Sequence, residues 1–270
     1  MAFALIGEVG ELSEIFQWRG SMDDGMMEEK HEIFLKDKGV HIGEEIADCL
    51  IYTVRLSDLC KINLSKATQS LLNMNINANR KDDKVYNYQD SEWNHMTFQE
   101  IIDIIDNTGN NSNNGNDENK KEKKEGELSS SSSSLPLPLQ SVMTKSPRSC
   151  ILELNKYLGQ VSSSFLNKSE LDCGYGLPSW SSHEIETLAM SFSSVIVCLI
   201  CVAKLCNLSI DKCLYDKMNK NNKKYPVEKC KGKSSKYTAY MKKTVPTNNA
   251  IVVGVLIAAS FFVLGRSSLR

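Results

Sequence analysis

The stretch GEVGELSEIFQW, residues 7–18, carries acids on the side of a helix that should be apolar. At about 100° per residue, Leu5, Val9, Leu12, Ile15 and Phe16 form one apolar arc, with Glu8 inside it and Glu11 at its edge. Only Glu14 points plainly away. The pattern recurs in GEEIADCLIYTVRLSDL, residues 43–59, where Ile42, Cys49, Tyr52, Leu56 and Leu59 surround Glu45 and Asp48 lies one turn on. Glu44 and Asp58 project outward. Each stretch therefore presents an acid pair at i, i+3, the separation at which helix side chains meet. A carboxylate on a buried face needs a positive partner, so packing the two helices together would gather Glu8, Glu11, Glu45 and Asp48 around a cation.

Like charges at close range raise one another's pKa. Hard divalent cations with oxygen ligands, Mg²⁺ or Mn²⁺, resolve that conflict and are held by carboxylates together with water and substrate phosphates. Either pair alone is common on a solvated helix face; both pairs inside apolar arcs point to a site. Tyr52, one turn beyond Asp48, fits a core tyrosine and a polar neighbour of phosphate equally well.

The stretches ALIGEVGELSEIFQW and GEEIADCLIYTVRLSDLCKINL resemble the MazG-like all-α NTP pyrophosphatases, and within them the dCTP pyrophosphatase branch. The family signature of ExxE, spacer and ExxD reads here as Glu8, Glu11, Glu45 and Asp48. The resemblance implies an all-α, four-helix-bundle-type fold in which these four acids bind Mg²⁺, or Mn²⁺, and act as the catalytic residues. It further implies hydrolysis of a nucleoside triphosphate, dCTP or a modified relative, to the monophosphate and pyrophosphate. Trp18 looks like the aromatic lining of the nucleotide pocket, and Asn75 stands at the family's asparagine position. The residue inventory agrees, because no Ser/His/Asp or Cys/His nucleophile set, phosphate-binding GxxxxGK[ST] loop or dinucleotide fingerprint is present. Metal-activated water is the remaining route. The alternatives are a dUTP-type pyrophosphatase and a catalytically silent membrane adaptor.

The second half echoes the first. LCKINL at residues 59–64 returns as LCNLSI at 205–210, and LLNMNINAN returns as KMNKNNKKYP from Lys217, which sets Asn221 opposite Asn75. Laid on the first half, Tyr157 replaces Glu8, Gln160 replaces Glu11, Ser191 replaces Glu45, Ser194 replaces Asp48 and Cys198 replaces Tyr52. The apolar pattern survives the loss of the ligands, so this copy should still fold. It also keeps the basic segment KKYPVEKCKGKSSKYTAY, in which Lys223, Lys224 and Lys233 are candidates for approaching phosphate. Family members assemble from paired chains, so the resemblance implies a homo-oligomer or a tandem pseudo-dimer within one chain.

The chain has 270 residues, 41% hydrophobic and 24% charged, with a net charge of −1. That balance excludes a strongly basic nucleic-acid surface. The nine cysteines lack metal-ligand spacing beyond one CxxC and read as buried, reduced thiols. The opening MAFALIGEVGE is too acidic for a signal peptide. The family carries a helix before ALIGEVGE, and SEWNHMTFQEIIDIID resembles it: either this helix serves the active site across the repeat interface, with Trp93 and His95 as pocket or structural residues, or the favoured reading holds and the true start lies upstream of Met1. AIVVGVLIAASFFVLG, residues 250–265, rises about 24 Å as a helix. That is somewhat short of the hydrocarbon core, but snorkelling Arg266 can extend it, and the segment reads as a tail anchor holding a cytosol-facing body to a mitochondrial outer, peroxisomal, plastid or ER membrane. The expected organisation is a ligand-bearing copy at 1–85, a helix at 86–106, a disordered low-complexity linker at 107–149, a degenerate copy at 150–240 and a transmembrane helix at 248–265.

Overall fold

The computed structural model describes residues 1–17, 28–76, 89, 97–111, 146–166 and 168–231. Its elements are α1 (Ala2–Gln17), α2 (Glu28–Leu59), α3 (Leu64–Ile76), α4 (Phe98–Asn111), α5 (Pro147–Leu166), α6 (Ser182–Leu205), α7 (Ile210–Lys224) and the single turn α8 (Val227–Cys230). No strand occurs among the described residues, as the all-α reading requires. The chain divides into two compact units, Met1–Lys217 and Met218–Arg270, and the acids lie in the first.

The centre of the first unit is α6. Its stretch from Leu188 to Ala203 is buried without a break, as expected of a helix that is apolar on every side. By length and composition it could cross a membrane, but α2, α3, α4 and α5 pack around it. Its serines bury their hydroxyls at little cost by bonding their own helix: Ser191, Ser193 and Ser194 donate to the carbonyls of Thr187, Ala189 and Met190 at 2.8, 2.9 and 2.9 Å. A reciprocal Ser181–Glu184 capping box starts the helix.

Helix α1 buries Leu5, Val9, Leu12 and Phe16, the arc read from the sequence, and packs on α2 and α5. Phe16 meets Phe34 of α2 with ring centroids 5.6 Å apart. Gly39 and Gly43 flatten one side of α2 where α7 approaches. A Cβ at Gly43 would stand 2.7 Å from the Cys213 sulfur and 3.6 Å from its Cβ, so a larger residue there must turn the Cys213 side chain aside or bond to it.

Helix α2 ends in a turn with Lys61 at φ 55°, where the Ile62 N–H donates to the Ser57 carbonyl at 2.9 Å. Helix α6 ends the same way, with Asn207 at φ 53° and the Leu208 N–H donating to the Ala203 carbonyl at 2.9 Å.

The ends of the low-complexity stretch are helical rather than irregular. Helix α4, opened by reciprocal Thr97–Glu100 bonds, continues to Asn111. Helix α5 starts with Pro147 at its first position, where a missing N–H costs nothing. Residues 112–145 and the apolar 250–265 segment lie outside the described residues, as do Trp93 and His95. All nine cysteines are free thiols, and burial pushes the Cys201 thiol up to about 12.

Phe192 is fully buried at the middle of α6. Phe192→Ala should lower the unfolding free energy by about 3–5 kcal/mol, read from urea denaturation followed by circular dichroism.

Candidate metal centre

Side-by-side packing of α1 and α2 brings Glu8 to Glu45 and Asp48. One carboxylate oxygen from each lies within 4.8 Å of the others. Glu8 cannot swing away, because Leu5, Val9 and Leu12 beside it on the helix are fixed in the core. Glu45 is only 5% exposed. Its Oε1 lies 3.4 Å from His41 Nε2, and its Oε2 is buried with no hydrogen-bond partner among the described residues.

Crowding and burial leave an electrostatic signature. Burial first, then the charges of Asp48, Glu11 and Glu45, pushes the Glu8 carboxyl up to about 7 against the opposing pull of Lys217. Burial likewise raises Glu45, with Lys217 opposing and Glu11 and Asp48 adding to the rise. A proton on either acid would relieve the repulsion, and so would a cation.

Three of the four expected acids converge. Glu11 is exposed and outside the trio, since three residues along a helix turn it about 60° from Glu8. Its charge still reaches Glu8 and Glu45. Tyr52 is half-buried and packs against the core. Asn75 lies in the last turn of α3. Lys223 and Lys224 are exposed in the last turn of α7, within the second unit. Trp18 and Lys233 lie outside the described residues.

The residue missed by sequence reasoning is Lys217. It is 8% exposed, and its Nζ makes a close ion pair with Asp48 Oδ2. Burial pulls the ammonium down, but Asp48, Glu45 and Glu44 outweigh it and hold its pKa above the ordinary lysine value. A signal was present: Ile210, Cys213, Leu214 and Lys217 follow i, i+3, i+4, i+7, so the lysine continues the apolar face of α7 as Glu8 interrupts that of α1. The flat side of α2 at Gly43 lets α7 come close enough for this reach.

One lysine cannot balance three acids, and the orphaned Glu45 oxygen has no donor among the described residues. A hard divalent cation with oxygen ligands fits this donor set, and Glu8, Glu45 and Asp48 could hold it.

Among known proteins, the chain is similar to dCTP pyrophosphatase 1 of Mus musculus, 29% identical over 108 residues, which is 40% of this chain and 62% of the mouse protein. It is 30% identical to the Rattus norvegicus protein of the same name over 108 residues, again 62% of that protein. The Homo sapiens protein of that name is 35% identical over 75 residues, 41% of its length. Over this part of its length the chain is similar to proteins named dCTP pyrophosphatase 1. It spans about three-fifths of the length of these rodent proteins. No family model matches the chain, and no solved structure does.

The raised Glu8 carboxyl fixes the sign of a pH effect in this dCTP pyrophosphatase relative. An acid whose folded pKa exceeds its unfolded value holds its proton more tightly when folded, so it stabilises at low pH. That stability is lost as pH rises from 4.5, the ordinary value, through about 7. In chelator, the chain should unfold at lower urea at pH 8 than at pH 5, and Glu8→Gln should flatten that difference; an unchanged slope would overturn the cluster electrostatics.

Proposed function

We propose that the chain is a nucleoside triphosphate pyrophosphatase that acts on dCTP or a modified relative and releases the monophosphate and pyrophosphate. The observation that carries this reading is the acid trio around buried Glu45, whose second oxygen is orphaned among the described residues, in a chain similar to proteins named dCTP pyrophosphatase 1. Glu8, Glu45 and Asp48 would hold Mg²⁺, or Mn²⁺ in its place. When bound, the ion supplies charge neutralisation for phosphate oxygens and Lewis-acid activation of water.

The protein's own groups do the rest. Glu11, exposed beside the trio, is the acid uncommitted to the cluster and is suited to accept a hydrogen bond from the attacking water and orient it. Lys217 gives the site a fixed positive charge that faces the incoming triphosphate and is stabilising as negative charge develops on the leaving pyrophosphate. Burial of Glu45 and the apolar surroundings of Glu8 lower the local dielectric, which strengthens both effects. By resemblance, Trp18, Tyr52 and Asn75 are assigned to the nucleotide, and Lys223, Lys224 and Lys233 to the approach of its phosphates. The apolar residues 250–265 are assigned to a membrane tail on composition alone.

Pyrophosphate release from dCTP should require Mg²⁺ and fall on the order of 100-fold or more in Glu45→Ala, with helicity by circular dichroism unchanged. Full turnover by that variant, or turnover in chelator, would overturn the metal assignment. A panel including dUTP and 5-methyl-dCTP would fix the base.

A further inference from the structure

We infer that the chain is an internal pseudo-dimer with a single working site, in which α7 of the second half completes the acid cluster of the first half of the same chain. The second, equivalent cradle has lost its charges. This rests on reading the acid cluster as a metal site, while the architecture itself stands on separate observations.

The first observation is that local geometry repeats at a fixed spacing of 146 residues. Cys60, Lys61 and Ile62 donate backbone N–H groups to Leu56, Asp58 and Ser57, and Cys206, Asn207 and Leu208 donate to Val202, Lys204 and Ala203. The left-handed residue falls at the same place in both turns, Lys61 and Asn207. The next helix begins alike: the Asn63 side chain accepts from the Lys66 N–H at 3.0 Å, and Ser209 accepts from the Lys212 N–H at 3.4 Å.

The opening helices repeat too. Leu5, Val9, Leu12 and Phe16 of α1 correspond to Leu154, Leu158, Val161 and Phe165 of α5. Ser13 donates to the Val9 carbonyl, and Ser162 to that of Leu158. Phe16 tilts on Phe34 at 58°, as Phe165 tilts on Trp180 at 57°. An αL asparagine or lysine and a back-bonding serine are each common alone; a whole series in register is a duplication written into the backbone.

The second observation is that the halves cross. Helix α3 of the first half packs on α6 of the second. Helix α7 of the second half lies on α2 of the first, with Cys213 against Gly43, Leu208 against Gly39 and Lys217 on Asp48. The first-half cluster thus takes its one buried cation among the described residues from the other half.

The third observation concerns the opposite cradle. Its positions are Tyr157, Ser191 and Ser194, with Leu71 where the first cradle has Lys217. All four are buried. Ser191 and Ser194 donate their hydroxyl protons to their own helix, and the Tyr157 ring occupies the acid's place. The acids and the lysine are absent together, so that neither is left buried without its partner.

The test needs no turnover. Isotopically light and heavy chains of Gly43→Cys are mixed, unfolded, refolded and mildly oxidised, and the peptides joining residue 43 to Cys213 are weighed. Within-chain completion gives all-light and all-heavy linked peptides and no hybrids. Hybrids making up half of the linked material would place α7 on a neighbouring chain and overturn the proposal, as would no link in a protein with native helicity. Should this variant not fold, carbodiimide coupling of Lys217 to Asp48 in the unsubstituted chain gives the same isotope readout.

Mn²⁺ binding, followed by electron paramagnetic resonance, tests the silent cradle. Tight binding should vanish in Glu45→Gln and persist in Ser194→Ala. Tight binding that survives Glu45→Gln would overturn the single-site claim. A wild-type chain that binds no Mn²⁺ would overturn the metal reading and the single working site together, while the crossing of the halves is judged by the isotope result alone.

Discussion

Carboxylates crowded together at a half-buried helix seam repel one another, and the packing around Glu8, Glu45 and Asp48 is arranged around that repulsion. Glu8, Glu45 and Asp48 are held together by apolar neighbours that leave them nowhere to turn. The only buried cation beside them among the described residues comes from α7, far along the sequence. Its approach depends on Gly43, where a side chain would collide with Cys213. One glycine in α2 therefore sets the distance at which a lysine on another helix can compensate an acid.

The balance is incomplete. Lys217 and Asp48 form a pair, and His41 approaches one oxygen of Glu45. The other oxygen has no partner among the described residues, and Glu8 carries a strongly raised pKa. Such groups weaken a fold, and they persist where a site needs them, since perturbed carboxylates gather at functional clefts. The opposite side of the unit shows the alternative. Around α6 the serines bond their own backbone and the buried remainder is hydrocarbon and thiol, a packing with no unsatisfied buried charge among the described residues.

Much of this was legible in the chain itself. The period of about 3.6 residues named α1 and α2, and acids falling inside their apolar arcs named Glu8, Glu45 and Asp48. Glu11 was grouped with the others because i, i+3 spacing does not distinguish a side chain aimed between two helices from one at the rim. Lys217 was passed over in favour of Lys223, Lys224 and Lys233, because basic residues in a run attract notice and a single lysine on an apolar face resembles a snorkelling one. The extension of α4 to Asn111 through an asparagine-rich segment also ran against local propensity.

By itself the sequence determined the helices, their apolar faces and the identity of the acids, since these depend on periodicity and on the energy of burying charge, both of which are local. It also carried the echo between the halves, in motifs such as LCKINL and LCNLSI. Which half supplies the compensating lysine was decided only by tertiary structure. That choice depends on how closely two distant helices can approach, and the clearance over Gly43 and the crossing of α3 and α7 exist only when the whole bundle is packed.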